Sequence, residues 1–497
     1  MSRFPLTGGA YQSRTVIANA QRCVNLYPEI NPAHSPVPVT YYQVPGKRLL
    51  VPNPFPGNGG ARCLYLASNG TGYYVAGNRV YVITLGNTLD LLGTINTSTG
   101  ICSMADNGTY VWLVDGSDKG WTIKLSDNSF ALFVDPTGTF TGATKVDYLD
   151  TYLLWNFPGT DKWGSTLSNT LTIDPTYIAT KTTYPDPLQT IIVNKHEIHL
   201  LGTLKSEIWF DAGGALFPFA ELPGAYFEHG TVAKYSCASS DIHVYFLSQD
   251  YQGQGMVLRI RGYEMTKISN HALDYQIRKM YQNGGNISDA VGYCYQQDGH
   301  LFYVLNFPSA DQTWVWDEAT QEWHQRAWVD NNGALHRDRV QCCAPINGLM
   351  LGGDWETGDL LVLDQTVYSD YVAGRYYPQQ CIRGFPHLMQ GMISLGLPGY
   401  DKARAGDGKV IQVESFQLDL QCGTGVPAEV IVRWSNDRGL TFVNSRLLAL
   451  GNPGQYAFRP LTRNLGQTWD FVFEIQYSID GEAACQGAWV TSKVLEQ

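Results

Sequence analysis

Charge is scarce in this chain. Only 16% of its 497 residues are Asp, Glu, Lys or Arg, against ~25% in an average soluble domain. That excludes a disordered tail and a coiled coil, both of which are rich in charge. Long apolar runs are also missing, and none approaches the ~18 residues of a membrane-spanning helix. The opening MSRFPLTGGAYQSRT carries no apolar core, so neither a signal peptide nor membrane insertion is expected. The ten cysteines include no CxxC pair, and the adjacent Cys342 and Cys343 would point to opposite faces of a strand. They read as buried thiols in a reducing compartment, with no disulfide scaffold, metal or cofactor to hold. Net charge is −11, the wrong sign for tight non-specific phosphate binding. Residues 1–50 run against that trend: Arg3, Arg14, Arg22, Lys47 and Arg48 oppose Glu29 alone, a local +4 that leaves −15 for the remainder.

Aromatic residues and turn formers are plentiful. Tyr 30, Phe 19 and Trp 13 favour strands, while Gly 51 and Pro 24 mean many turns. Asn-Gly pairs begin at 58, 69, 107, 283, 332 and 347, and Asp-Gly pairs at 115, 298, 407 and 480. Both residue types take the positive φ of two-residue hairpin turns. Between them a unit of four strands recurs, the third often bearing Trp: RVYVI (79–83), GWTIKL (120–125), DKWGSTL (161–167), SEIWFD (206–211), GMVLRI (255–260), QTWVWD (312–317) and GDLLVLD (358–364). Four strands in ~40–50 residues is the period of a propeller blade. The segment 61–373 accommodates seven units of ~45 residues, or six if one is a linker; seven is preferred.

The all-β reading is therefore a β-propeller over 61–377, an extended proline-rich arm over 1–60 and a β-sandwich over 378–497. Six alternating runs define the sandwich: 410–420, 429–435, 442–450, 455–461, 470–478 and 487–495. One helical insertion is predicted at 270–285, with Asn270 as its cap, Leu273, Ile277, Met280 and Tyr281 as an apolar stripe, and Gly284-Gly285 as its end.

Catalytic signatures are absent: no nucleophile elbow, phosphate loop or dinucleotide fingerprint occurs. KHEIH at 195–199 falls one residue short of a zinc helix, and on a strand His196 and His199 would face opposite sides. VDGSDKG (114–120) and GDWETGD (353–359) read as polar turns rather than calcium loops. Arg259, Arg261, Arg326, Arg337 and Arg339 with Asp317, Glu318 and Glu322 are the residue types of a sialidase-like mouth, so a glycan-binding or glycan-hydrolysing propeller is the alternative function. SNDRGLTF (435–442) matches an Asp box, in which Ser435, Asp437, Gly439 and Thr441 staple a turn and do no chemistry.

At the N-terminus GGAYQSRTVIANAQRCVNLYPEI (8–30), above all AQRCVNLYPE at 20–29, followed by QVPGKRLL (43–50), resembles the packaged-DNA stabilisation or tail hub (nozzle) proteins of short-tailed bacteriophages. So do VRWSNDRGLTFVNSRLLALGNPGQYAFRPLTRNLGQTWDFVFEIQYS (432–478), FLSQDYQGQGMVLRIRGYEMTKISNHAL (246–273) and LFYVLNFPSADQTWVWDEATQEWHQRA (301–327). The resemblance implies a structural virion protein of the tail and not an enzyme, assembled in the host cytoplasm as a homohexameric ring below the portal and its adaptor ring. It also implies retention of packaged DNA, passage of the duplex without sequence-specific binding, and tail fibres or tailspikes and a needle or plug as further partners. Gln21, Arg22, Asn25, Tyr27 and Glu29 are the expected assembly contact, unless the arm is pinned to its own propeller.

Overall fold

The computed structural model describes residues 2–4, 6–214, 216–389, 410–423 and 428–495. Among them stand seven antiparallel four-stranded blades, five as separate sheets and two as parts of larger sheets that run on into the N-terminal segment and beyond. Their inner strands are Ala61–Leu66, Ser103–Asp106, Val146–Leu149, Leu188–Asn194, Ala238–Ser240, Val291–Gln297 and Val340–Ile346. The last of these packs on the first, closing a ring of seven blades. Every predicted third strand is a third strand of a blade.

The long apolar runs follow from burial on both faces. Successive side chains of a strand point to opposite sides, and in a propeller each side meets another blade. Thus Tyr73 and Val75 pack towards the second blade, while Tyr74 and Ala76 pack towards the seventh. Phe302 and Val304 face the seventh blade; Tyr303 and Leu305 face the fifth, where Tyr303 stacks on Tyr245 at 5.0 Å.

The tight hairpins between first and second strands use the predicted pairs only in part. Consecutive positive φ occurs at Asp298-Gly299 and Asn347-Gly348, as expected, but also at Asp150-Thr151 and Lys195-His196. At Asn69 and Asn107 only the following glycine is left-handed. His196 therefore sits in a turn and not on a strand; it is exposed beside Asp150, whereas His199 is buried and held neutral, its pKa lowered by burial to about 4.

The seventh blade has only three strands of its own. Its outer strand is Gly46–Val51 of the N-terminal segment, antiparallel to Leu360–Asp364. The same N-terminal segment also builds the sandwich. One sandwich sheet joins Leu461–Thr468, Val410–Leu420 and Cys485–Leu495 to Val39–Gln43 and Leu26–Ile30, with Ser2–Phe4 on Cys485–Leu495. The other joins Asn444–Ala449, Glu429–Ser435, Val472–Tyr477 and Cys381–Gly384 to Cys23–Val24, which in turn meets the outer strand of the sixth blade, Glu322–Val329. Phe416 and Phe473 stack at 4.4 Å between the sheets. The run QYAFRPL is not a strand: the chain turns through Gly451 and Gly454, Pro460 has no N–H to give a ladder, and pairing begins at Leu461.

The helix spans His271–Gln282. Asn270 accepts from the amide of Leu273, and Ala272, Leu273, Ile277 and Met280 are buried against the fifth and sixth blades. Tyr281, predicted in the stripe, is 65% exposed. Four apolar residues without it suffice to seat a helix of three turns.

Candidate functional site at the arm, propeller and sandwich junction

The strand Cys23–Val24 is only two residues long, so its place depends on side chains beyond it. Val24 pairs with Gln325 of the sixth blade on one side and Ile382 of the sandwich on the other. Asn25 secures that seam. It takes φ 55 and is fully buried. Its Nδ2 donates to the carbonyls of Ala327 at 2.7 Å and Gln380 at 3.0 Å, and its Oδ1 accepts from the amide of Ala327 at 2.9 Å. One side chain thereby bonds the propeller and the sandwich segment at once. Asn is suited to it, since it tolerates the left-handed region and carries both a donor and an acceptor.

Arg383 organises the approach to this seam. It lies on Cys381–Gly384, completely buried, with its guanidinium 4.5 Å from the Tyr41 ring. Nη1 donates to the carbonyls of Gly9 and Arg22 at 3.2 and 3.0 Å. Nη2 donates to those of Thr7 and Gly8 at 2.9 Å each, and to Gln21 Oε1 and Tyr41 Oη at 3.1 Å each. The planar fork gathers an irregular stretch of arm in which only the Arg22 carbonyl also has a strand partner, the amide of Gly384 at 2.8 Å. Gly9 permits the close approach, because a Cβ there would stand 2.2 Å from the carbonyl oxygen of Trp323.

The five expected contact residues divide by burial. Gln21, Asn25 and Tyr27 are buried, and Tyr27 meets His300 and Phe302 edge-on at 5.2 and 5.5 Å. Arg22 and Glu29 retain exposed atoms; Arg22 bonds Glu474 at 3.3 Å, which Arg433 also meets at 3.3 Å. Burial pulls the His300 imidazole pKa down, but Asp317 at 2.8 Å outweighs it and the net direction is up.

A second buried knot fixes the closing strand. Lys47 lies 2.8 Å from Asp338 and 3.3 Å from Asp370, and all three are almost fully buried. Burial tends to raise both acids, yet Lys47 brings Asp338 below its usual range while Asp370 stays above.

Asp437 accepts from Ser435 Oγ at 2.6 Å and from Thr441 N and Oγ1 at 2.8 and 2.6 Å, and Gly439 takes φ 93. Those hydrogen bonds hold the Asp437 carboxyl down at about 2. This turn packs on the arm, with the Gly439 backbone next to Ala20.

The arginines named for a sialidase-like mouth do not gather at one site, although Arg337 and Arg339 both lie over the Trp355 ring at 3.8 and 4.9 Å. Arg259 is paired with Glu318, Arg339 with Asp354 and Glu356, and Arg326 lies buried over Tyr295 and Phe302. Arg337 alone of them lines the axial cavity of the propeller. No group of three or more His, Cys, Asp or Glu arranged to hold a metal occurs among the described residues.

A family model described as bacteriophage P22 Gp10, beta-propeller, matches residues 2–368, and one described as bacteriophage P22 Gp10, beta-sandwich, matches residues 403–493. The chain belongs to the P22 Gp10 family. It is thus a structural tail protein of a short-tailed phage, with the propeller and sandwich that the family descriptions name. No curated protein matches it. Among solved structures, the extracellular domain of the putative hybrid two component system BT4673 from B. thetaiotaomicron aligns with TM-score 0.41 and 9% identity, over 66% of this chain and 40% of that one.

Within this Gp10-family chain, sequence reasoning missed Arg383, Lys47 and Glu474. A faint signal existed: Arg383 interrupts the apolar run CIRGF, and a charge inside such a run marks either a surface strand or a buried hub.

Proposed function

We propose that the chain forms a ring of six copies below the portal and adaptor ring of a short-tailed phage, where it retains the packaged genome and walls the channel through which DNA leaves. What carries this reading is the weaving of the N-terminal segment through every unit: one strand closes the propeller, three lie in one sandwich sheet and one bridges the other sheet to the sixth blade. A wall element under the pressure of packaged DNA needs propeller and sandwich to move as one body. Shared strands supply that stiffness where a simple linker would not. The excess of acid over base supports passive passage, since a duplex slides past a repelling wall instead of adhering to it.

In this reading Arg22 and Glu29 meet the neighbouring ring, while Gln21, Asn25 and Tyr27 hold the arm in position to do so. Fibres or tailspikes and a needle or plug would bind elsewhere on the ring. The test is a virus stock from which the gene has been deleted. Heads should fill and then lose their DNA, and the purified protein should restore retention when added before leakage. Stable, DNA-filled, infectious particles lacking the protein would contradict the proposal.

A further inference from the structure

The propeller axis holds two contiguous chambers of about 460 and 190 Å³, with Arg62, Lys234 and Tyr235 in the walls of both. Their charge is opposite to that of the molecule. Arg62, Lys145, Lys234 and Arg337 line them, from blades one, three, five and seven or the segments leading into those blades, against one carboxylate, Asp289. On a chain of net charge −11 this is a local concentration of cations.

None of these cations is in an ion pair, although Asp147 acts electrostatically on Lys145, and Asp311, Asp289 and Asp354 on Arg337. Arg62 spends its N–H groups on the carbonyls of Gly77, Thr97, Thr99 and Gly100 and on Thr97 Oγ1, which satisfies its donors and leaves its charge. Lys145 and Lys234 have no ion pair or side-chain hydrogen bond among the described residues; Lys234 lies 5.1 Å from the Tyr235 ring. Arg337 lies 3.8 Å from the Trp355 ring. Nor do the wall thiols supply negative charge, for burial pushes Cys63 up to about 11 and Cys237 up to about 12. Asp289 gives one oxygen to Ser309, and its other is buried without a hydrogen-bond partner.

We propose that the axial cavity is a binding site for a phosphate group, with Lys145 and Lys234 as its direct ligands and Arg62 and Arg337 adding positive field. Two ammonium groups offer six donors to the acceptor oxygens of a phosphate. Lys145 lines only the smaller chamber and Arg337 only the larger, so a phosphate held by both lysines sits in the smaller one. The larger, within the ~300–1,000 Å³ of small-molecule sites, leaves room for the rest of an ester, so free phosphate and a nucleotide ester share the required chemistry. A bound anion would also tie alternate blades together across the axis.

The experiment is thermal unfolding and calorimetric titration of the full chain with sodium phosphate, against sodium chloride of equal ionic strength. Phosphate should raise the melting temperature saturably and chloride should not. Lys145→Met and Lys234→Met should each weaken phosphate binding about tenfold or more, and the double variant should abolish it. In phosphate-free buffer the double variant should melt close to wild type, because neither lysine is in an ion pair and the repulsion removed offsets the loss of the Lys145 field on Asp147. Titration with dAMP distinguishes the sources: tighter binding than phosphate identifies an ester, weaker binding the free ion. A phosphate shift equal to that of chloride, or one unchanged in both single variants, would overturn the assignment.

Discussion

Replacing Arg383 by methionine is expected to free the N-terminal arm and to lower stability by about 3–5 kcal/mol, because several buried acceptors lose a charged donor at once. The guanidinium serves four backbone carbonyls, Gln21 Oε1 and Tyr41 Oη. Methionine fills similar volume but donates nothing. Each buried acceptor left without a partner costs ~1–3 kcal/mol, and water entering along the arm would recover part of that sum. Lysine should rescue only partly, since three donors on a point cannot reproduce a planar fork. The measurements are urea unfolding and limited proteolysis. Cleavage should appear between residues 7 and 22 before the propeller is attacked. An unchanged midpoint and an uncut arm would refute this role for Arg383.

The second large effect concerns Lys47, the ammonium that Asp338 and Asp370 share beneath the closing strand. Lys47→Met leaves two carboxylates buried together and should cost about 3–5 kcal/mol at neutral pH. The pH dependence has a defined sign. Without the ammonium, both carboxyl pKa values in the folded state rise above the unfolded value. A group of that kind destabilises above its folded pKa and ceases to do so as pH falls through it. The gap between variant and wild type should therefore narrow on acidification, and the Lys47→Met, Asp370→Asn double change should recover part of the loss at neutral pH. Urea midpoints measured across that range decide it. A gap that widens in acid would mean that the acids are not the source of the destabilisation.

Local pattern and long-range closure differed in how readable they were. The blade strands announced themselves because burial on both faces produces runs such as YVWLV and HVYFL, and turn formers separate them. The helix cap at Asn270 was equally plain, being settled within three residues. The role of residues 1–60 was harder to see. Cys23–Val24 is too short to show a period, and its partners Gln325 and Ile382 lie far along the chain. Proline richness points to an extended segment, but it does not say which blade such a segment completes. QYAFRPL misled because alternation without a usable amide at Pro460 is not a strand. Arg383 and Lys47 look like surface cations in sequence, and only the converging carbonyls and carboxylates show that they are buried hubs. The arginines proposed for a glycan site illustrate the converse: the right residue types were present, but Arg259 is tied to Glu318, Arg339 to Asp354 and Arg326 to aromatic rings, and they form no common pocket.

In the proposed assembly six copies close a ring in the phage tail. Its most direct test is the copy number of this chain in purified particles, by quantitative mass spectrometry against the major capsid protein. About six copies per particle is the predicted result, the number that closes a sixfold ring of identical heterologous contacts. Absence from the particle, or a copy number incompatible with a single closed ring, would contradict it.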